Sequence, residues 1–140
     1  MTYREAMDLG EKVLKMADIA DAKVDAWLLL EMVCKIDRNF YYLHLEDDLS
    51  EEQVSGYEIA LKKRAEHIPL QYIVGETEFM GLRFKVNSSV LVPRQDTETL
   101  VEEALKVIEP GMKVLDLCTG SGCIIISILH NIVYVEGDAV

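Results

Sequence analysis

Asp116, Cys118, Thr119, Gly120, Ser121 and Gly122 lie within the run Val114-Leu115-Asp116-Leu117-Cys118-Thr119-Gly120-Ser121-Gly122. A short apolar run ends on an acid, a glycine-rich turn follows, and a second apolar run spans Cys123 to Leu129. That order predicts strand, turn and helix, an arrangement that cradles nucleotide-type ligands. Glycines let the backbone come close to a ligand, and the free N–H groups of the following helix point at it. The acid then selects among ligands. A carboxylate opposes a pyrophosphate and suits a cation. S-adenosylmethionine carries a sulfonium and an ammonium and has no phosphate, so Asp116 moves the reading from a dinucleotide towards a methyl donor. An ordinary tight turn, with Asp116 capping the helix, also accounts for the pattern.

A second carboxylate, at the end of the next parallel strand, would accept both ribose hydroxyls. Ile132 to Val135 is predicted as that strand, with Glu136 and Asp138 beyond its end. Either acid would serve, and a solvated, frayed segment explains both equally well. No metal site is predicted. Cys118 and Cys123 have C-x4-C spacing without a histidine or a second pair nearby, which is poor zinc spacing. They are expected to pack around the turn. His44, His67 and His130 are scattered, with no ligand or base at useful spacing.

The elements that must position these residues change character along the chain. The first part reads as helices. Thr2 with Glu5 and Ser50 with Gln53 are capping boxes, and Leu49 with Val54 is a hydrophobic staple. Ala6, Leu9, Val13 and Met16 recur at helical spacing. A second helix, capped by Asp21 and ending near Lys35, is apolar on more than one side and reads as the centre of a small bundle, with Trp27 in its core. Phe40 to Leu45 is a short aromatic segment; Phe40, Tyr41 and Tyr42 are expected to pack half-buried between helices, the alternative being an exposed patch for a partner. Lys62-Lys63-Arg64 reads as a solvated helix end that suits the helix dipole. From Pro69 the period shortens. Gln71 to Val74, Glu78 to Phe79 and Leu82 to Val86 read as strands, with Met80-Gly81 as a hairpin turn. Asp96 or Thr97 starts a helix through Ile108, stopped by Pro110-Gly111.

The predicted class is α/β with an N-terminal all-α domain: residues 1–67 a small helical bundle, 68–95 a β-hairpin linker, and 96–140 the start of a Rossmann-like domain. Such a doubly wound domain usually needs about 100–200 residues to close its sheet, so 96–140 is read as incomplete. Half of the 140 residues are apolar, which permits a packed core. Net charge is −11. It is spread along the chain: Met1 to His67 carries 15 acids against 9 bases, and Ile68 to Val140 carries 10 against 5. This disfavours direct nucleic-acid binding and suits a basic protein or a cationic ligand. An odd cysteine count without a secretory signal favours a reducing, cytoplasmic setting. The longest apolar run is too short to cross a bilayer.

The segment from Pro69 to Leu105 is more specific. P-L-Q-Y-I-x-G, F-x-G-L-x-F, V-L-x-P-R, T-E-x-L-V-E and V-L-D-L-x-T-G-S-G occur there and in the following strand and turn, separated and in order. The chain up to about Leu129 resembles the HemK/PrmC family of protein-(glutamine-N5) methyltransferases, which modify peptide-chain release factors. The helical segment is similar to that family's substrate-recognition bundle in length and position. The resemblance implies methyl transfer from S-adenosylmethionine to the glutamine amide of a release factor's G-G-Q motif. It implies that Asp116 and the Cys118 to Gly122 turn hold the methionine part, that Glu136 or Asp138 holds the ribose, and that Arg94, Thr97 and Glu98 wall the incoming glutamine.

There are departures. Gln95-Asp96 stands where the family usually has Pro-Glu, and Cys118 stands where glycine is frequent, implying ordinary backbone angles there. The family's N-P-P-Y motif is absent from these 140 residues. Its asparagine and a proline carbonyl would aim the amide nitrogen at the methyl group, so no turnover is expected of this chain alone. Asn131 to Val140 also matches poorly, as truncation or a shifted frame would produce. Two other readings remain: a non-catalytic release-factor-binding fragment, and a methyltransferase acting on a nucleic-acid base amino group.

Overall fold

Caps and long-range packing organise the helices of the first half. The computed structural model describes residues 1–140, which divide into two compact units, Met1–Val74 and Gly75–Val140. In the first unit, α1 (Tyr3–Met16) and α4 (Glu51–Ala65) each begin with a complete capping box, at Thr2/Glu5 and Ser50/Gln53. Between them lie α2 (Ala22–Cys34) and the short α3 (Arg38–Leu43). Asp21 precedes α2 but makes no side-chain capping bond; the helix ends with Lys35 in the left-handed conformation. Leu49 and Val54, the two staple residues, both join the helical core.

That core centres on Leu14, Ala26, Leu29, Leu30 and Tyr57, all fully buried. Tyr57 donates its hydroxyl hydrogen to the Ala26 carbonyl at 3.1 Å, joining α4 to α2. Gly10 on α1 lies against that hydroxyl, where a Cβ would collide with it. Glycine is therefore required mid-helix, at a cost of about 1 kcal/mol in helix propensity, because close packing needs the space. Trp27 is buried, as its sequence position predicts, with Tyr41 edge-on at 5.3 Å. Arg64 departs from its predicted role as part of a solvated helix end. Its Nε donates to Asp25 Oδ2 at 2.7 Å and Nη1 donates to the Ile68 carbonyl at 3.1 Å, so it ties the end of α4 to α2. Asp25 is buried, and burial demands such a partner.

Gln71 to Val74, predicted as a strand, is instead part of the helical turn α5 (Leu70–Val74). The Pro69 carbonyl accepts from the N–H groups of Tyr72 and Ile73, and Leu70 and Ile73 pack on the helical core. A short apolar run fits either structure, and its packing decided this one.

The second unit opens with β1 (Glu76–Phe79) and β2 (Leu82–Lys85), an antiparallel pair in the register Glu76↔Lys85 and Phe79↔Leu82. Met80 and Gly81 form the turn, both at positive φ, as a hairpin of right-handed twist requires. Then follow α6 (Gln95–Leu105), β3 (Lys113–Asp116), α7 (Cys123–Asn131) and β4 (Glu136–Ala139). α6 stops at Leu105, short of the predicted Ile108, although Ile108 still packs on the core. β3 and β4 pair in parallel, Lys113↔Glu136 to Asp116↔Ala139, with α7 as the intervening helix. The strand predicted at Ile132 to Val135 therefore lies later in the chain. α7 extends to Asn131 and Tyr134 has a φ of 60°, so extended pairing starts only at Glu136.

Phe79, Phe84, Val101, Cys123 and Ile128 form this unit's core. The face of β3 bearing Leu115 remains exposed, as do Leu117 and Tyr134. No helix is long and apolar enough to cross a membrane.

Candidate cofactor site

β3 delivers Asp116 to the mouth of the glycine-rich turn. Alternation along the strand puts Asp116 on the same face as Val114, the half-buried face, and Leu115 on the exposed one. Asp116 Oδ2 accepts a hydrogen bond from the Thr119 hydroxyl at 2.8 Å. Thr119 is fixed further by its N–H, which donates to the Val140 carbonyl at 3.0 Å, while the Val140 N–H donates to the Asp116 carbonyl at 3.1 Å. Asp116 is thus oriented by the turn and does not cap α7. The residue at the cap position is Gly122, and no side chain satisfies the first N–H groups of the helix.

Cys118, Gly120 and Gly122 have φ values of 62°, 57° and 79°. The left-handed angle at Cys118 overturns the expectation of ordinary angles there. An L-residue in that region is strained by roughly 1–2 kcal/mol, and the bonds on either side of the turn hold it in place. The two cysteines also part company: Cys123 is buried in the unit's core, whereas Cys118 is exposed.

Three observations bear on whether a ligand fits. A Cβ placed on Gly120 would meet no heavy atom within 4 Å, so there is open space beside the turn. The Ser121 hydroxyl is buried without a hydrogen-bond partner, an arrangement that favours an external acceptor or donor. The α7 N-terminus offers unsatisfied N–H groups to an anionic group, while Asp116 offers a carboxylate to a cationic one.

The two predicted ribose acids are placed differently. Glu136 pairs with Lys113 at the opposite end of the strands from the turn, and its Oε2 lies 3.0 Å from Lys113 Nζ. Asp138 pairs with Leu115, one residue short of Asp116. Both lie within β4 rather than beyond a strand end. Between them, Gly137 sits so close to α7 that a Cβ would press on Ile125 and Leu129. The sequence reading missed this glycine, although a glycine inside an extended run is itself a signal of close approach.

Arg94, Thr97 and Glu98 cluster at the start of α6. Arg94 is the N-cap residue, exposed, with no side-chain capping bond, and Thr97 donates its N–H to the Arg94 carbonyl at 3.0 Å. Glu98 Oε1 accepts the Met80 N–H at 2.7 Å, so this carboxylate anchors the hairpin tip. A cavity of about 340 Å³ opens beside it, lined by Glu78, Phe79, Pro93, Gln95 and Glu98. Phe79, Val101 and Cys123 share one core, which couples hairpin, α6 and the trailing end of the turn. His44 follows α3 as its C-cap residue; its Nδ1 lies 2.7 Å from Asp47 Oδ2, and the ring stacks on Phe40.

Comparison with known proteins supplies the family and the relatives of the chain. The profile of the family described as the PrmC N-terminal domain matches residues 5–75. Relatives named release factor glutamine methyltransferase include one from Clostridium botulinum, 40% identical over 134 residues, covering 94% of this chain and 47% of the relative. One from Geobacter sulfurreducens is 35% identical over 135 residues, covering 96% and 48%. One from Cereibacter sphaeroides is 45% identical over 129 residues, covering 92% and 46%. The chain spans about half the length of the curated relatives it matches.

Proposed function

The chain belongs to the PrmC N-terminal domain family, and from that premise we propose that it carries the partner-recognition and cofactor-binding parts of a release factor glutamine methyltransferase. The observation that carries the reading is the geometry around Asp116: a half-buried carboxylate, oriented by Thr119, beside an open glycine turn and an uncapped helix. The relatives' name supplies the reaction class. In this reading β3, α7 and β4 are the start of a Rossmann-like domain in a cytoplasmic enzyme. The three-part division by role, at 1–67, 68–95 and 96–140, is part of the proposal.

S-adenosylmethionine would supply an electrophilic methyl group. Asp116 attracts its positive charge, and the turn Cys118-Thr119-Gly120-Ser121-Gly122 gives its methionine portion backbone N–H donors and the unpartnered Ser121 hydroxyl. Asp138 is the better placed of the two acids for the ribose, because Glu136 is held by Lys113 at the far end of the pair. Arg94, Thr97 and Glu98 flank the substrate side, with Glu98 acting through the hairpin it anchors.

The substrate proposed is the glutamine amide of a release factor's G-G-Q motif, bound by the helical unit. Within these 140 residues there is no Asn-Pro-Pro-Tyr to orient that amide. We therefore propose binding without turnover for this chain on its own. A nucleic-acid substrate suits it less, because a net charge of −11 repels a phosphate backbone.

Calorimetric titration with S-adenosylmethionine tests the reading. Saturable binding that Asp116→Ala abolishes is the expected result. Absence of binding in a chain that circular dichroism shows to be folded would withdraw the cofactor role and leave a release-factor-binding fragment.

A further inference from the structure

We propose that the groove walled by α1, α2 and α3 seats a peptide segment of a partner protein that carries a carboxylate beside an apolar side chain, with Arg38 as the anchoring cation. The inference rests on the helical unit being the partner-recognising part. The groove encloses about 450 Å³, within the range of sites that hold small ligands or a few side chains. Trp27 forms its floor and is only 4% exposed. Val24 and Tyr42 stand on the rim at 51% and 63% exposure, apolar surface that nothing in the chain covers.

Charge identifies the occupant. Arg4 is taken by Glu46, through Nε at 2.8 Å and Nη2 at 2.7 Å. Glu11 is taken by Lys15 at 2.6 Å. Lys15, with a smaller contribution from Lys23, holds the Glu11 carboxyl below its ordinary range, so Lys23 is partly balanced there. Asp8 acts on Arg4 in turn. Lys23 and Arg38 have neither an ion pair nor a hydrogen-bond acceptor in the chain; of the two, Arg38 lies against the floor, its guanidinium 4.8 Å from the centre of the Trp27 ring. It is an exposed cation over an aromatic floor with no acid of the chain paired to it. A single carboxylate satisfies it, and the guanidinium fork matches that geometry. A run of phosphates would meet Asp8, Glu11 and the acidic surface beyond.

Trp27 is the chain's one tryptophan, so its emission reports on the groove. The full chain is titrated with a blocked hexapeptide of alternating leucine and glutamate, with its leucine–glutamine and leucine–lysine counterparts, and with inorganic phosphate. Saturable change is expected with the leucine–glutamate peptide, at least tenfold weaker with leucine–glutamine and absent with leucine–lysine. Arg38→Gln, confirmed as folded by circular dichroism, should weaken binding at least tenfold; Arg38→Lys should restore part of it. No response to the leucine–glutamate peptide, equal binding by Arg38→Gln, equal binding of the lysine peptide, or displacement by equimolar phosphate would each overturn the proposal. Because the probes are model peptides, such a failure leaves release-factor recognition by another face of the helical unit untouched.

Discussion

Gly10 and Cys118 are two residues whose backbone positions run against their chemistry, in opposite senses. At Gly10 the backbone is ordinary helix, but the Tyr57 hydroxyl occupies the space of a side chain. Gly10→Ala should gain helix propensity and still lose about 2–3 kcal/mol to overpacking, measured by urea denaturation. Tyr57→Phe removes the nearest colliding atom, so the alanine should cost less in that background, and the double-mutant cycle should show the coupling. At Cys118 the side chain is exposed but φ is 62°. Cys118→Gly should stabilise the turn by about 1 kcal/mol, less the entropy glycine adds to the unfolded chain, read as slower hydrogen exchange of the Thr119 N–H. Cys34 carries a pH signature. Burial raises its thiol to about 11. The native state then retains a proton that the unfolded chain loses from about pH 8.5. Its contribution is complete below that pH and is lost as pH rises towards 11. Relative to Cys34→Ala, the wild type should lose on the order of 3 kcal/mol across that window.

At the scale of elements, legibility followed the range of the forces involved. The boxes at Thr2/Glu5 and Ser50/Gln53 were readable because each is a contract between residues three apart, and the structure realises both. Ser50→Ala should cost about 1 kcal/mol of stability in a thermal melt. The Met80-Gly81 turn was readable for the same local reason. Other features required distant partners. α5 is a helix because Leu70 and Ile73 meet the helical core, and Arg64 is tied inward because Asp25 is buried 39 residues earlier. The onset of β4 was displaced because the end of α7 and the left-handed Tyr134 intervene. Within the candidate site, the strand, acid and glycines were legible, whereas the Thr119 bond to Asp116 and the Glu98 bond to Met80 were not. The latter gives a prediction for the hairpin: Glu98→Ala should leave both strands paired and speed hydrogen exchange at the Met80 N–H by at least tenfold.

For the molecule as a whole, two cores with no residue in common argue against a single cooperative unfolding event. Trp27 emission reports the helical core alone, so its denaturation midpoint should differ from that of Val101 and Ile128 amide exchange in the second unit. The exposed Leu115, Leu117 and Tyr134 in that unit also govern how copies of the chain treat one another. At neutral pH a charge of −11 keeps those apolar side chains from meeting their equivalents on another molecule. β4, at one edge of its two-stranded sheet, adds Glu136 and Asp138 as further repulsion. As pH falls towards the isoelectric point near 4.6, that protection vanishes while the apolar surface persists. Colloidal stability is therefore a property of the carboxylates, and static light scattering should rise steeply on acidification before circular dichroism registers any loss of helix.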